Sequence, residues 1–130
     1  MENITIPIEN IDIGIRDMII WLNKKGYKTI FSCEGHYRQS RNEDSAFIDG
    51  FYIVFEYNQK QYNFLKQIID KPIFQNFSIE KTEIIGANVM SKAKQVFMIR
   101  YNYDEISKKQ IAKSRKNINE LFEYIKERYL

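Results

Sequence analysis

Apolar side chains in this chain recur at two different periods, and the order in which those periods alternate limits what it can fold into. Ile11, Ile15, Met18, Ile19 and Leu22 return every three or four positions, the spacing of one stripe on a helix. Residues 27–32 (Tyr-Lys-Thr-Ile-Phe-Ser) are instead β-branched or aromatic, and residues 51–57 are apolar on both faces, as a central strand is. The helical period returns at Tyr62, Leu65, Ile68 and Ile69, until Pro72 forbids its continuation. Residues 77–85 and 95–103 read as two further strands, with 86–94 as the hairpin connection between them. From Ser107 onward Ile111, Ile118, Leu121, Phe122, Ile125 and Tyr129 make one long buried stripe, with Lys and Glu on the opposite face.

This succession predicts a single α+β domain over residues 1–130, in the order (β)αββαββα, the leading strand lying at residues 4–8. Helices cover one face of a mixed or antiparallel sheet. A helix followed by two strands occurs twice, which points to an internal αββ duplication of architecture, without identity between the halves.

Local signals mark the element ends. Asn10 or Asp12 offers a capping oxygen to the first helix, and Gly26 after Lys24 and Lys25 stops it. Ser107 and Gln110 are spaced as a capping box, and Ile106 and Ile111 as its hydrophobic staple. Residues 38–50 are polar and aperiodic, the pattern of a surface loop.

Composition excludes several classes. Hydrophobic residues at 44% and aromatics at 15% rule out a disordered chain. No apolar run is long enough to cross a bilayer, and Met1-Glu2-Asn3 lacks the positive flank of a signal peptide. A lone cysteine forms no internal disulfide and fits a reducing, cytoplasmic setting. Abundant Ile, Lys, Asn and Tyr suggest a low-GC bacterial, phage or mobile-element genome. The net charge of +3 is unevenly spread: residues 107–130 carry seven Lys or Arg against three Glu, with Lys108, Lys109, Lys113, Arg115 and Lys116 uninterrupted by acid. Such a patch favours an anionic partner, although a solvated helix face is the commoner cause.

The best candidate site is Ser32-Cys33-Glu34-Gly35-His36, which holds the only Cys and the only His of the chain. It lies at a strand end before a turn, where sheets present ligand-binding side chains. Tyr37 adds an aromatic face, and Arg38 and Arg41 add charge for an anion. A Cys-His nucleophilic pair needs contact between the two, and known pairs usually come from distant segments. A structural zinc needs four ligands, and one Cys and one His fall short, so no metal is expected. The plainer alternative has Cys33 packed as a small apolar residue and His36 bonded to nearby backbone.

The stretch Ile11-Asp12, Ile19-Ile20, Leu22-Asn23, Gly26-Tyr27-Lys28-Thr29 and Ser32 to His36 resembles the opening of the wybutosine-synthesis family of tRNA-modifying proteins. Members show an acidic residue leading a helix, a Leu/Ile-Asn pair and a strand ending in Ser-Cys-Ser-Gly-Arg. It is also similar to small Firmicute and phage proteins carrying Ser-Cys-x-Gly-His. The resemblance covers about residues 10–37. It implies an α/β fold with internal duplication, handling of S-adenosylmethionine, and a site at Ser32, Cys33, Gly35 and His36. Glu34 and His36 stand where the wybutosine family has Ser and Arg.

Arg100, beside Tyr101 and Tyr103, is a further binding candidate that can reach a phosphate while a base stacks on an exposed tyrosine; the plainer reading pairs it with Glu80 or Glu83. The residues together favour a binder over a catalyst. The leading expectation is a nucleotide- or phosphate-ligand-binding protein contacting its ligand through Ser32, Cys33, Gly35, His36, Tyr37, Arg38 and Arg100. A phage protein that sequesters a nucleotide immune signal, built as a homo-oligomer, is one specific form. The alternatives are an S-adenosylmethionine-dependent transferase acting on RNA, and an inhibitor of a host protein acting through the basic last helix.

Overall fold

Met18, Ile19 and Leu22 are at most 2% exposed, so the first apolar stripe does face a core. In the computed structural model, which describes residues 13–39, 46–84 and 94–129, this stripe belongs to helix α1 (Arg16–Lys24). The proposed caps Asn10 and Asp12 and the strand at residues 4–8 lie outside the described residues. A 3₁₀ turn, Ile13–Ile15, leads into α1, and Ile15 at the cap position makes no side-chain capping bond. Gly26, at φ +95°, ends α1 in a conformation that costs other residues roughly 1–2 kcal/mol.

Asn23 explains the Leu-Asn pair. Its buried amide donates to Ile19 O at 2.8 Å and to Thr29 Oγ1 at 2.9 Å, tying the last turn of α1 to the first residue of β1 (Thr29–Cys33). The chain continues through β2 (His36–Gln39), β3 (Ala46–Asp49), β4 (Tyr52–Glu56), α2 (Gln59–Ile69), β5 (Phe77–Ile84), β6 (Lys94–Tyr101) and α3 (Lys108–Arg128). Asn58 and Ser107 cap α2 and α3, each accepting from the N–H three residues on at 3.0 Å. Ile106, half of the expected staple, keeps 57% of its surface exposed.

One expectation is corrected. Residues 38–50 are not simply a loop: β2 and β3 pair antiparallel from His36↔Asp49 to Gln39↔Ala46. The polar residues of this stretch reflect a small two-stranded ribbon outside the main sheet, where the alternation that marks a half-buried strand is not required.

The main sheet is antiparallel throughout, in the order β1-β4-β6-β5. That order is its own mirror: α1 precedes the outer strand β1 and its inner partner β4, and α2 precedes the outer strand β5 and its inner partner β6. The two αββ units meet at β4 and β6. Buried residues of all three helices join Ile53, Phe55, Phe97, Ile99 and Tyr101 in one core, with Phe55 and Phe97 stacked 4.6 Å apart. The helices therefore share one face of the sheet. The other face is open enough to leave Phe31 half exposed. Among the described residues no helix is long and apolar enough to cross a membrane.

Candidate functional site

Consecutive residues of a strand point to opposite faces, and β1 divides its reactive side chains on that rule. Ser32 pairs with Ile53, whose side chain is fully buried, and so faces the helices. Cys33 pairs with Tyr52 on the open face. The strand then ends in Glu34 and Gly35; the latter is buried at φ +94°, where glycine is favoured because it has no Cβ.

Glu34 organises this turn. One carboxylate oxygen accepts the N–H of Gly14, in the turn ahead of α1, and the other accepts from Arg115 Nη2 of α3 at 3.1 Å. Arg115 Nη2 also donates to Gly35 O at 3.0 Å. The side chain of Glu34 is only 13% exposed, and Nδ1 of His36 stands 3.9 Å from it. A negative charge at the positive end of α1 is favourable, so a residue 20 positions away supplies part of what a local cap would. A Cβ at position 14 would overlap Glu34 Oε1, so any side chain there makes this flexible carboxylate move. Arg115 is accordingly an ion-pair partner rather than a member of a uniformly unpaired basic face.

The remaining predicted residues separate into two groups. Tyr37 and Arg38 lie on β2 opposite Ile48 and Phe47, and their side chains fall outside the description. Arg100 lies on β6, paired with Tyr52, so Cys33, Tyr52 and Arg100 form one row across three strands. This row opens into a cleft of about 800 Å³ that Met98, Tyr101 and Tyr103 help to line, and among the described residues that line it there is no carboxylate. Arg100 reaches Glu80 at 3.2 Å, with both side chains about half exposed. Tyr103 is fixed by accepting the N–H of Phe51 at 3.0 Å, and its ring packs 4.8 Å from Tyr101. The Tyr101 hydroxyl accepts from Asn117 at 2.8 Å, and burial raises its pKa against that bond.

The structure thus brings Cys33 and Arg100 together, and groups His36 with Glu34 near Arg115. Tyr103 was named beside Arg100 from the sequence, whereas Tyr52 was missed, although it opens a strand whose next three residues are buried. No local signal pairs Glu34 with Arg115, 81 residues on. Among the described residues no group of three His, Cys, Asp or Glu side chains converges as a metal site requires. Comparison with protein-family models, curated proteins and solved structures finds no match to this chain.

Proposed function

We propose that this chain binds a small anionic ligand built on a planar ring, a nucleotide above all, in the cleft on the open face of the sheet. The supporting observation is the row Cys33–Tyr52–Arg100, which sets an arginine beside partly exposed tyrosines in a cleft with no carboxylate among its described lining residues. A half-exposed ion pair such as Arg100–Glu80 is worth about 0–1 kcal/mol. A phosphate offering charge-assisted bonds to the guanidinium is stronger competition, and aromatic rings give the base a stacking surface. The reading is of capture rather than turnover, since the lining includes Cys33 but not His36. Sequestration of a nucleotide signal, as by a phage protein, is the specific form it takes.

Calorimetry against mononucleotides, cyclic nucleotides and ADP-ribose-type ligands tests this. We expect saturable binding that weakens at least tenfold in Arg100→Ala and in Tyr52→Ala, with melting temperatures kept close to the parent's. Absence of binding heat across the panel, or affinity unchanged in both variants, sinks the proposal.

A further inference from the structure

On the helical side, away from the open sheet face, two clefts of about 280 Å³ each lie side by side between α2 and α3. They share Phe64 and Arg128, so they form one trough. Lys60 stands at one end and Lys71 and Tyr124 at the other, and among the described residues neither lining contains a carboxylate. Of the acids nearby, Asp70 binds Lys66 at 3.0 Å and Glu123 binds Lys126 at 2.9 Å, while Glu120, Glu123 and Glu127 line an adjoining groove that shares Tyr124 with the trough. Cations and aromatic faces are interleaved along the trough. Arg128 lies 4.8 Å and Lys71 6.0 Å from the Tyr124 ring centre, and Phe64 meets Tyr129 edge-on at 5.8 Å.

From this arrangement we infer that the α2–α3 trough binds a single-stranded nucleic acid. Three cations along the trough suit a phosphate backbone, and partly exposed rings between them suit unpaired bases, which stack on aromatic side chains whatever their sequence. An acidic peptide needs the charges but makes no particular use of the rings. A membrane surface needs protruding apolar side chains, whereas Phe64 and Tyr124 are sunk between the helices and half-buried. The cation–π contacts do not block the trough. At exposed sites each is worth roughly 0.5–1 kcal/mol, so Lys71 and Arg128 can move from the Tyr124 ring to phosphates while a base takes their place. This site is separate from the cleft at Arg100 and does not rest on it.

Fluorescence anisotropy with a labelled oligothymidylate tests the inference. Three phosphate contacts, from Lys60, Lys71 and Arg128, predict that log affinity falls with log salt at a slope of about −2. Lys71→Ala/Arg128→Ala should weaken binding at least tenfold and flatten that slope to about −0.7. Tyr124→Leu keeps an apolar side chain in place but removes the stacking face, and should weaken binding by about fivefold or more. Lys113→Ala/Lys116→Ala, at exposed positions outside the trough, should bind as the parent does. The inference is overturned if the oligonucleotide does not bind at low salt. It is equally overturned if Lys113→Ala/Lys116→Ala weakens binding as much as the trough variant does. Indifference to Tyr124→Leu, combined with equal affinity for a duplex, heparin or anionic-lipid vesicles, would show a general polyanion surface instead.

Discussion

The contact between Gly14 and Glu34 can be tested as a thermodynamic cycle. In the parent, Gly14→Ala places a methyl group where Glu34 Oε1 lies, so the carboxylate must withdraw and give up the Gly14 N–H. Hydrogen bonds to charged groups contribute about 1.5–3 kcal/mol, and the lower end applies because Gly14 is exposed and water can replace part of the loss. Displacing the carboxylate also weakens its bond to Arg115, a half-exposed partner that adds no more than about 1 kcal/mol. Gly14→Ala should therefore destabilise the chain by about 2 kcal/mol. For a domain of this size that lowers the melting temperature by roughly 6–10 °C.

Glu34→Ala alone should cost a similar amount. In that background a methyl group at position 14 has room, and the same Gly14→Ala change should be neutral or stabilise by up to about 1 kcal/mol, through the reduced freedom of the unfolded chain. The expected coupling is thus about 2 kcal/mol or more, read from urea and thermal unfolding of the four proteins followed by circular dichroism. Additivity within about 0.5 kcal/mol would show that the two residues act independently, and would refute the account of why position 14 is glycine.

Two further outcomes follow from buried polar groups. Asn23→Ala removes two buried donations and should lower stability by about 2 kcal/mol, and Thr29→Val, which leaves one of them unmet, by about 1 kcal/mol; the urea midpoint measures both. Burial, and to a lesser degree the Tyr129 phenol, raises the pKa of Tyr27 above its ordinary value of 10.0. The folded state therefore holds this proton more tightly than the unfolded chain, so its contribution is constant below about pH 10 and declines as pH rises beyond it. Urea unfolding across that range should show the decline in the parent and a shallower one in Tyr27→Phe, the remainder coming from Tyr101, raised by burial, and from Lys66, raised by its bond to Asp70.

Element types were legible because each rests on local pattern. The stripe of α3, the cap at Ser107 and the stop at Gly26 all act within a few residues. The β2–β3 ribbon was not legible, because a two-stranded element outside the main sheet need not alternate apolar and polar residues. The start of α1 also involves a residue that no local pattern reveals: a carboxylate from the β1–β2 turn meets the amide of Gly14. For the site, adjacency in sequence was a good guide to location and a poor one to grouping. Ser32 and Cys33 are neighbours in the chain yet face opposite sides of the sheet, while Cys33 and Arg100 share a cleft because β1 and β6 both pair with β4.

This division separates two effects that mutagenesis of the motif would otherwise mix. Glu34, Gly35 and Arg115 hold the β1–β2 turn against α1 and α3, so substitutions among them act first on stability. Tyr52 and Arg100 line the cleft from strands whose other side is anchored by fully buried Ile53 and Ile99, so their outer side chains can change with little cost to the core. Loss of binding in Glu34→Ala would thus be ambiguous, because the turn carrying Cys33 is expected to loosen as well. Loss of binding in Arg100→Ala at an unchanged melting temperature has one reading only, removal of a contact to the ligand. The chemistry of this chain is therefore better probed from β4 and β6 than from the segment whose reactive residues first attract notice.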